Sequence, residues 1–350
     1  MKILHNPEHF TFASDNYSGV HPTILQAIAR ANGGHDKAYG HDTYSVALKH
    51  LIKSKFGEQA SCYLVFNGTG ANVLGLQSLL PRCGAVICAK EAHINNDESV
   101  APEYIGGMKL LAVDTPDGKL SASGLHDFCY HRNQSEHTAK ASVVYISQTT
   151  ELGMCYTLDE IREIANVCRE FGLYLYLDGA RLSNALVALD ADWSDLANLG
   201  IDMLSIGGTK NGLMIGEGLI VLNPSLDEQM RRLRKSNMQL GSKLRFVASQ
   251  FLAWFEDDLW RELAKNSNDM ANYLYHEIKN LDGVEVLYPV HANAVFARFS
   301  PDVVSQLHTQ FEFYDTDIKA GEVRLMTSFD TSKEQIDALV TAIKNLLPTS

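Results

Sequence analysis

The chain has 350 residues, of which 45% are hydrophobic and 21% charged, which is enough apolar content for a large core and too much for a disordered or low-complexity chain. Its 30 basic and 42 acidic side chains leave a formal charge of −12, a poor balance for wrapping nucleic acid. No apolar run approaches the roughly 18 residues of a membrane-spanning helix, and the first residues lack the apolar stretch of a signal peptide. The expectation is therefore a soluble cytoplasmic protein with neither nucleic acid nor membrane as a partner.

In chain order, short apolar runs at 63–66, 85–88, 110–113, 143–146, 173–177, 203–206 and 219–222 predict buried strands. Helix-period stretches lie between them, as at 71–77 and at 158–171, where Ile161, Ile164, Ala165 and Cys168 share a face. The alternation predicts an α/β fold with a mostly parallel sheet covered on both faces. Beyond about residue 224 the pattern changes to a basic helical segment over 231–245 and a helix-rich stretch to 281. Short strands at 284–287, 294–299 and 323–327 and a last helix over 333–347 complete the chain. This predicts a large domain over 1–245, N-terminal segment included, and a smaller α+β domain over 246–350. The 6 cysteines are dispersed without a C-x-x-C pair, and none of the 13 histidines falls in H-E-x-x-H, so no metal site is expected.

Ligands of a parallel sheet bind beyond the carboxyl ends of its strands, so the residues there matter most. Asp178, in Leu177-Asp178-Gly179-Ala180-Arg181, is either a structural partner of Arg181 or a carboxylate facing a cationic ligand nitrogen. Lys210, after Gly207-Gly208-Thr209, is either a solvated loop lysine or a partly desolvated nucleophilic amine. Asn67-Gly68-Thr69-Gly70-Ala71-Asn72 joins strand to helix as an ordinary turn or as a cradle of N–H groups for phosphate. It is neither a Walker A sequence nor a dinucleotide fingerprint. His93 is either a hydrogen-bonded core residue or an imidazole that stacks on a planar ring or carries protons. Phosphate cradle, ring, carboxylate and lysine together are what pyridoxal phosphate requires, and the set is far more specific than any member.

With these residues in view, the chain resembles the threonine aldolases, within the wider aromatic-amino-acid β-eliminating lyase/threonine aldolase family of the aspartate-aminotransferase fold (fold type I). The resemblance runs from Phe12-Ala13-Ser14-Asp15-Asn16 to Val323-Arg324-Leu325-Met326-Thr327, and the segment around Asp178 is its most diagnostic piece. It implies a large pyridoxal-5'-phosphate-binding domain with Asp178 on the pyridine nitrogen, Lys210 on the aldehyde and His93 over the ring. It also implies Gly68, Thr69 and Thr209 at the phosphate. Ser14, Arg181 and Arg324 would surround the substrate carboxylate, with Arg181 also counted among the cofactor contacts. Tyr39, in Ala38-Tyr39-Gly40, resembles a family tyrosine that enters a neighbouring subunit's site, and Lys243 falls where relatives reach a partner's cofactor phosphate. A homodimer or homotetramer with shared active sites follows.

The implied activity is retro-aldol cleavage of L-threonine or L-allo-threonine to glycine and acetaldehyde. β-Elimination or transamination on the same fold is the alternative, and a non-catalytic binding protein a further one. The chain departs from many relatives at Gln148-Thr149-Thr150-Glu151-Leu152-Gly153, where Glu151 stands in place of a histidine. Glu151 is expected to be the base for the β-hydroxyl proton, directly or through a water. The competing reading is a loop carboxylate that makes a surface ion pair or accepts backbone hydrogen bonds.

Overall fold

The computed structural model describes residues 2–132 and 136–347. Seven strands build the first sheet: β1 (Ser61–Val65), β2 (Gly84–Ala89), β3 (Lys109–Val113), β4 (Lys140–Ser147), β5 (Tyr174–Asp178), β6 (Met203–Gly207) and β7 (Glu217–Val221). Their order is β1-β7-β6-β5-β4-β2-β3. Only β7 runs against its neighbours β1 and β6, the other pairings being parallel. Six strands therefore finish at one edge, and β7 starts there.

Side chains alternate across this sheet as the pleat requires. Val144 and Ile146 of β4, with Leu175 and Leu177 of β5, enter one core, whereas Val143, Tyr145 and Tyr176 enter the other. Helices seal both faces. The helix Leu158–Phe171 begins at a reciprocal cap between Thr157 and Glu160 and ends at Gly172, which takes the left-handed conformation at φ 64°. The first core also holds the ring cluster of Trp193, Trp254 and Trp260.

A second, antiparallel sheet contains β8 (Glu285–Val286), β9 (Ala294–Arg298), β10 (Tyr314–Asp317) and β11 (Glu322–Met326), ordered β10-β11-β9-β8. The helices Pro301–Leu307 and Lys333–Leu346 pack over it. The long helix Leu259–Ile278 belongs to both units. Its Leu259, Trp260 and Leu263 enter the first core, and its Ala271, Leu274 and Ile278 enter the second. The first core thus continues past residue 245 through the helix Arg245–Phe255, by way of Val247, Ala248, Phe251 and Trp254. The N-terminal segment does the converse, placing Phe12 in the core of the second sheet.

Two sequence expectations need correction. The basic stretch over 231–245 is not one helix: a helix ends at Ser236, Met238 takes a left-handed φ of 61°, and the next helix starts at Arg245. Asn237 stops the first helix by donating its Nδ2 to the Leu233 carbonyl at 2.9 Å, and the Gln239 Oε1 beyond it accepts the Phe66 N–H at 3.0 Å. β10 is the other difference. Its sequence, YDTD, lacks an apolar face because it is a largely exposed edge strand. Among the described residues no helix is long and apolar enough to cross a membrane.

The ends of β5 and β6 approach closely enough to exclude side chains. A Cβ on Gly179 would lie 1.9 Å from the Ser205 carbonyl oxygen, and one on Gly207 would lie 2.2 Å from that of Ala180. Backbone blocks both positions, so Gly179→Ala must force the strand ends apart. Chemical denaturation should show a loss of roughly 1–3 kcal/mol, the usual cost of overpacking. An unchanged midpoint would mean that the two ends separate freely.

Candidate active site

Asp178 ends β5 with its carboxylate buried and supplied with donors by four segments. Oδ2 accepts from the Tyr145 hydroxyl at 2.5 Å and from Asn72 Nδ2 at 2.8 Å. Oδ1 accepts the Ala180 N–H at 2.9 Å and the Ser205 hydroxyl at 3.4 Å. These bonds offset the cost of removing the charge from water. Burial, with the Asp178 charge next, raises Tyr145 and Tyr176 well above the ordinary tyrosine range, so both phenols remain proton donors. Arg181 is not the partner of Asp178, which answers one of the two sequence readings. Its Nε and Nη2 grip Asp15 at 2.7 and 2.8 Å, a paired geometry that suits a guanidinium and a carboxylate. Burial works to raise Asp15, but Arg181, with Lys210 behind it, outweighs that and holds the carboxyl below its usual range.

Lys210 sits in the turn Thr209–Asn211 that follows β6. Burial first, and then the charge of Arg181, draws its ammonium below the ordinary lysine range, the condition under which a lysine amine becomes nucleophilic. Across the cavity the helix Gly68–Leu79 presents its first turn, capped by Asn67 Oδ1 on the Gly70 N–H at 2.7 Å. Its free N–H groups are a ready anion site. Lys210, Asp178, His93, Glu151, Arg181, Gly68, Thr69 and Thr209 all line one cavity.

A second compartment shares His93, Glu151, Arg181 and Lys210 with the first and adds Ser14 and Arg324. Arg324, on β11, gives Nη2 to the Ala13 carbonyl at 3.1 Å, while its buried Nε has no partner. Burial, then Arg181, lowers its pKa from the usual arginine value. Two guanidinium groups beside an unpaired N–H form an anion pocket. Glu151 Oε1 accepts from the Ser147 hydroxyl at 2.7 Å and the His93 N–H at 2.8 Å. Burial raises the carboxyl above the usual glutamate range. Its place in both compartments is at odds with a surface ion pair, whereas the bond from the His93 N–H is the backbone hydrogen bond that the competing reading also allowed.

Tyr39 and Lys243 line neither compartment of this chain, and both are exposed. They do share a surface: the Tyr39 N–H donates to the Ser242 carbonyl at 2.9 Å, and Lys235 Nζ stands 5.3 Å from the Tyr39 ring centroid.

Sequence reasoning missed the clamp role of Asp15, the donor Tyr145, and two buried acids, Glu98 and Glu217. Glu217 carried a usable signal, since it is a charged residue opening an otherwise apolar strand. The reversed β7 brings it to the site, where Oε2 accepts the Gly208 N–H at 2.8 Å and burial pushes its carboxyl up to about 7.

That shift has a sign. A carboxyl with a pKa of about 7 folded and near 4.5 unfolded binds more protons in the native state between those values. It therefore erodes stability as pH climbs through the window, and the loss is complete above it. Glu217→Gln keeps an acceptor for Gly208 and removes the titration. Unfolding curves from about pH 5 to about pH 8 should flatten in the variant, which should be more stable at the alkaline end by up to roughly 3 kcal/mol. Parallel curves for parent and variant would place the titration elsewhere.

Comparison with known proteins places this geometry among relatives. A family profile described as Beta-eliminating lyase matches residues 11–301. The chain is 38% identical to the low specificity L-threonine aldolase of Pseudomonas aeruginosa, over 95% of this chain and 96% of that one. It is 37% identical to the enzyme of the same name from a Pseudomonas species, over 96% and 97%. Among solved structures, a threonine aldolase of Leishmania major superposes with a TM-score of 0.91 at 34% identity, covering 97% of this chain and 99% of that chain.

Proposed function

The chain belongs to the β-eliminating lyase family, and on that premise we propose that it is a pyridoxal-phosphate-dependent aldehyde lyase. It cleaves the Cα–Cβ bond of a β-hydroxy-α-amino acid, L-threonine or L-allo-threonine, to glycine and acetaldehyde. It works in the cytoplasm as a homodimer or homotetramer. The observation that carries this reading is the convergence of Lys210, Asp178, His93 and a free helix N-terminus on one cavity that opens into a pocket with two arginines.

The donor set fits the cofactor part by part. Asp178 would hold its pyridine nitrogen, Lys210 its aldehyde and His93 its ring, while Gly68, Thr69 and Thr209 would hold its phosphate. The unpartnered Nε of Arg324 and the second compartment fit a substrate carboxylate. When bound, pyridoxal phosphate supplies an electron-accepting ring for the pair left on Cα.

The protein's own groups supply orientation and proton movement. Arg324 and Arg181, with Ser14 beside them, grip the substrate carboxylate and so decide which Cα bond is presented for cleavage. Arg181 is held still for this by Asp15. Glu151 receives the β-hydroxyl proton, and Oε2 is the oxygen for it because Oε1 already accepts from Ser147 and His93. Its raised pKa moves it towards the working range of a general base. Tyr39 and Lys243 belong to a neighbouring subunit's site, which their exposed positions at a shared surface support.

Incubation of the purified protein with pyridoxal phosphate and L-threonine should yield glycine and acetaldehyde in equal amounts. Pyruvate with ammonia, or pyridoxamine phosphate, would assign another reaction. Lys210→Ala should lose both turnover and the borohydride-reducible attachment of the cofactor. An intact attachment would move the nucleophile elsewhere. Glu151→Gln should slow threonine cleavage by about 10²- to 10⁴-fold, the range of a positioned base. Exchange of the glycine α-proton, which involves no β-hydroxyl, should change far less. A parallel fall in both rates would remove Glu151 from that role.

A further inference from the structure

Glu98 has no part in the chemistry above, yet its side chain is completely buried beside the site. Its Oε1 lies 2.9 Å from His93 Nδ1 and 2.7 Å from Asn72 Nδ2. The second hydrogen of Asn72 Nδ2 goes to Asp178 Oδ2 at 2.8 Å, and Asn72 Oδ1 accepts the Tyr176 hydroxyl at 3.0 Å. The orientation of the Asn72 amide is thereby fixed, with its NH₂ lying between two carboxylates. Glu98 Oε1 is then an acceptor towards Asn72, and as a carboxylate it accepts from the imidazole too when the proton is on His93 Nδ1.

Two features argue that this arrangement is not incidental packing. Glu98 Oε2 is buried without a partner, a cost that a purely structural acid would shed. The next residues, Ser99 and Val100, take consecutive left-handed conformations at φ 46° and 58°. That geometry is unfavourable outside glycine, and most of all for a β-branched valine. The chain distorts immediately after the residue it delivers to the site.

We infer that Glu98 is a positioning residue: it fixes the ring orientation and tautomer of His93, leaving Nε2 as the pocket-side nitrogen, and through Asn72 it joins His93 and Asp178 into one hydrogen-bonded unit. The inference rests on the proposed reaction only for what the unit serves. His93 is raised above the usual histidine range, chiefly by the bond to Glu98, with burial opposing. The other charged groups around it are Asp178 and Lys210, Glu151 at its backbone N–H, and Arg181 and Asp97 along the outer compartment.

The test is histidine NMR on the full chain as purified, with His93 assigned by substitution. Wild-type His93, once neutral, should carry its proton on Nδ1. Glu98→Gln should lower the His93 pKa by about one unit or more. It should also reduce kcat about tenfold or more with a smaller change in KM, and shift the acid limb of the rate profile. Glu98→Asp should recover part of each effect. An Nε2–H tautomer in the wild type, which needs no variant to fold, would overturn the inference. So would an unmoved His93 titration in folded Glu98→Gln. The titration reads His93 and not turnover, so a protein that catalysed a different reaction would leave this result standing.

Discussion

A carboxylate cannot be buried at the end of β5 unless several segments each turn a donor towards it. Tyr145 comes from β4, Asn72 from the helix after β1, Ser205 from β6, and Ala180 from the turn that follows. Each donor constrains its own element. Tyr145 and Tyr176 stack in parallel 5.7 Å apart on the same face of the sheet, so their hydroxyls reach the edge side by side. Asn72 reaches Asp178 only if its helix lies flat on that face, with Leu74 and Leu76 in the same core. The reversed β7 follows from the same edge, because the chain must turn back after Lys210, and Glu217 is carried there by the reversal. The electrostatics of the site are thus a product of sheet topology as much as of side-chain choice.

A second constraint ties the two sheets together. Residues 12–16 run between them. The Phe12 N–H bonds to the Glu312 carbonyl and its own carbonyl accepts from Met326, while Asp15 clamps Arg181 and receives Asn293. The arginine on the large unit and the arginine on the small one are held by neighbouring residues of a single strand of chain, through Asp15 and the Ala13 carbonyl. Their separation is therefore set locally, although β5 and β11 belong to different sheets.

Much of this was legible from the sequence, for identifiable reasons. Asp178 and Lys210 stood out because each closes an apolar run, and a charge at such a place has few explanations. Gly68 and Thr69 stood out because glycine and a hydroxyl between strand and helix expose N–H groups. The β-eliminating lyase resemblance carried Ser14, Arg181 and Arg324, which local pattern alone would not have gathered. Glu98 was invisible because it lies in irregular chain, where no periodicity marks burial, and its partners are 5 and 26 residues away. Asp15 was visible only as part of a motif, since its role depends on a contact across 166 residues. The end of the helix at Ser236 was missed because a run of basic residues looks helical until a left-handed Met238 breaks it.

The long reach of Asp15 bears on how the protein is made. Synthesis delivers Asp15 early, Arg181 166 residues later, and Asn293 278 residues after Asp15. The backbone acceptors and donors that seat Phe12 lie later still, at Glu312 and Met326. Residues 12–16, which precede both sheets in the chain, are therefore among the last to find their place, because their partners at 312 and 326 are synthesised after the sheet of seven strands. Contacts of such long sequence separation are slow to form because loop closure precedes any reward. A nascent chain that has already placed Lys210 still lacks the Glu312 and Met326 partners that seat Phe12, and Arg324 as well, so the two arginines reach their final separation only when β11 is in place.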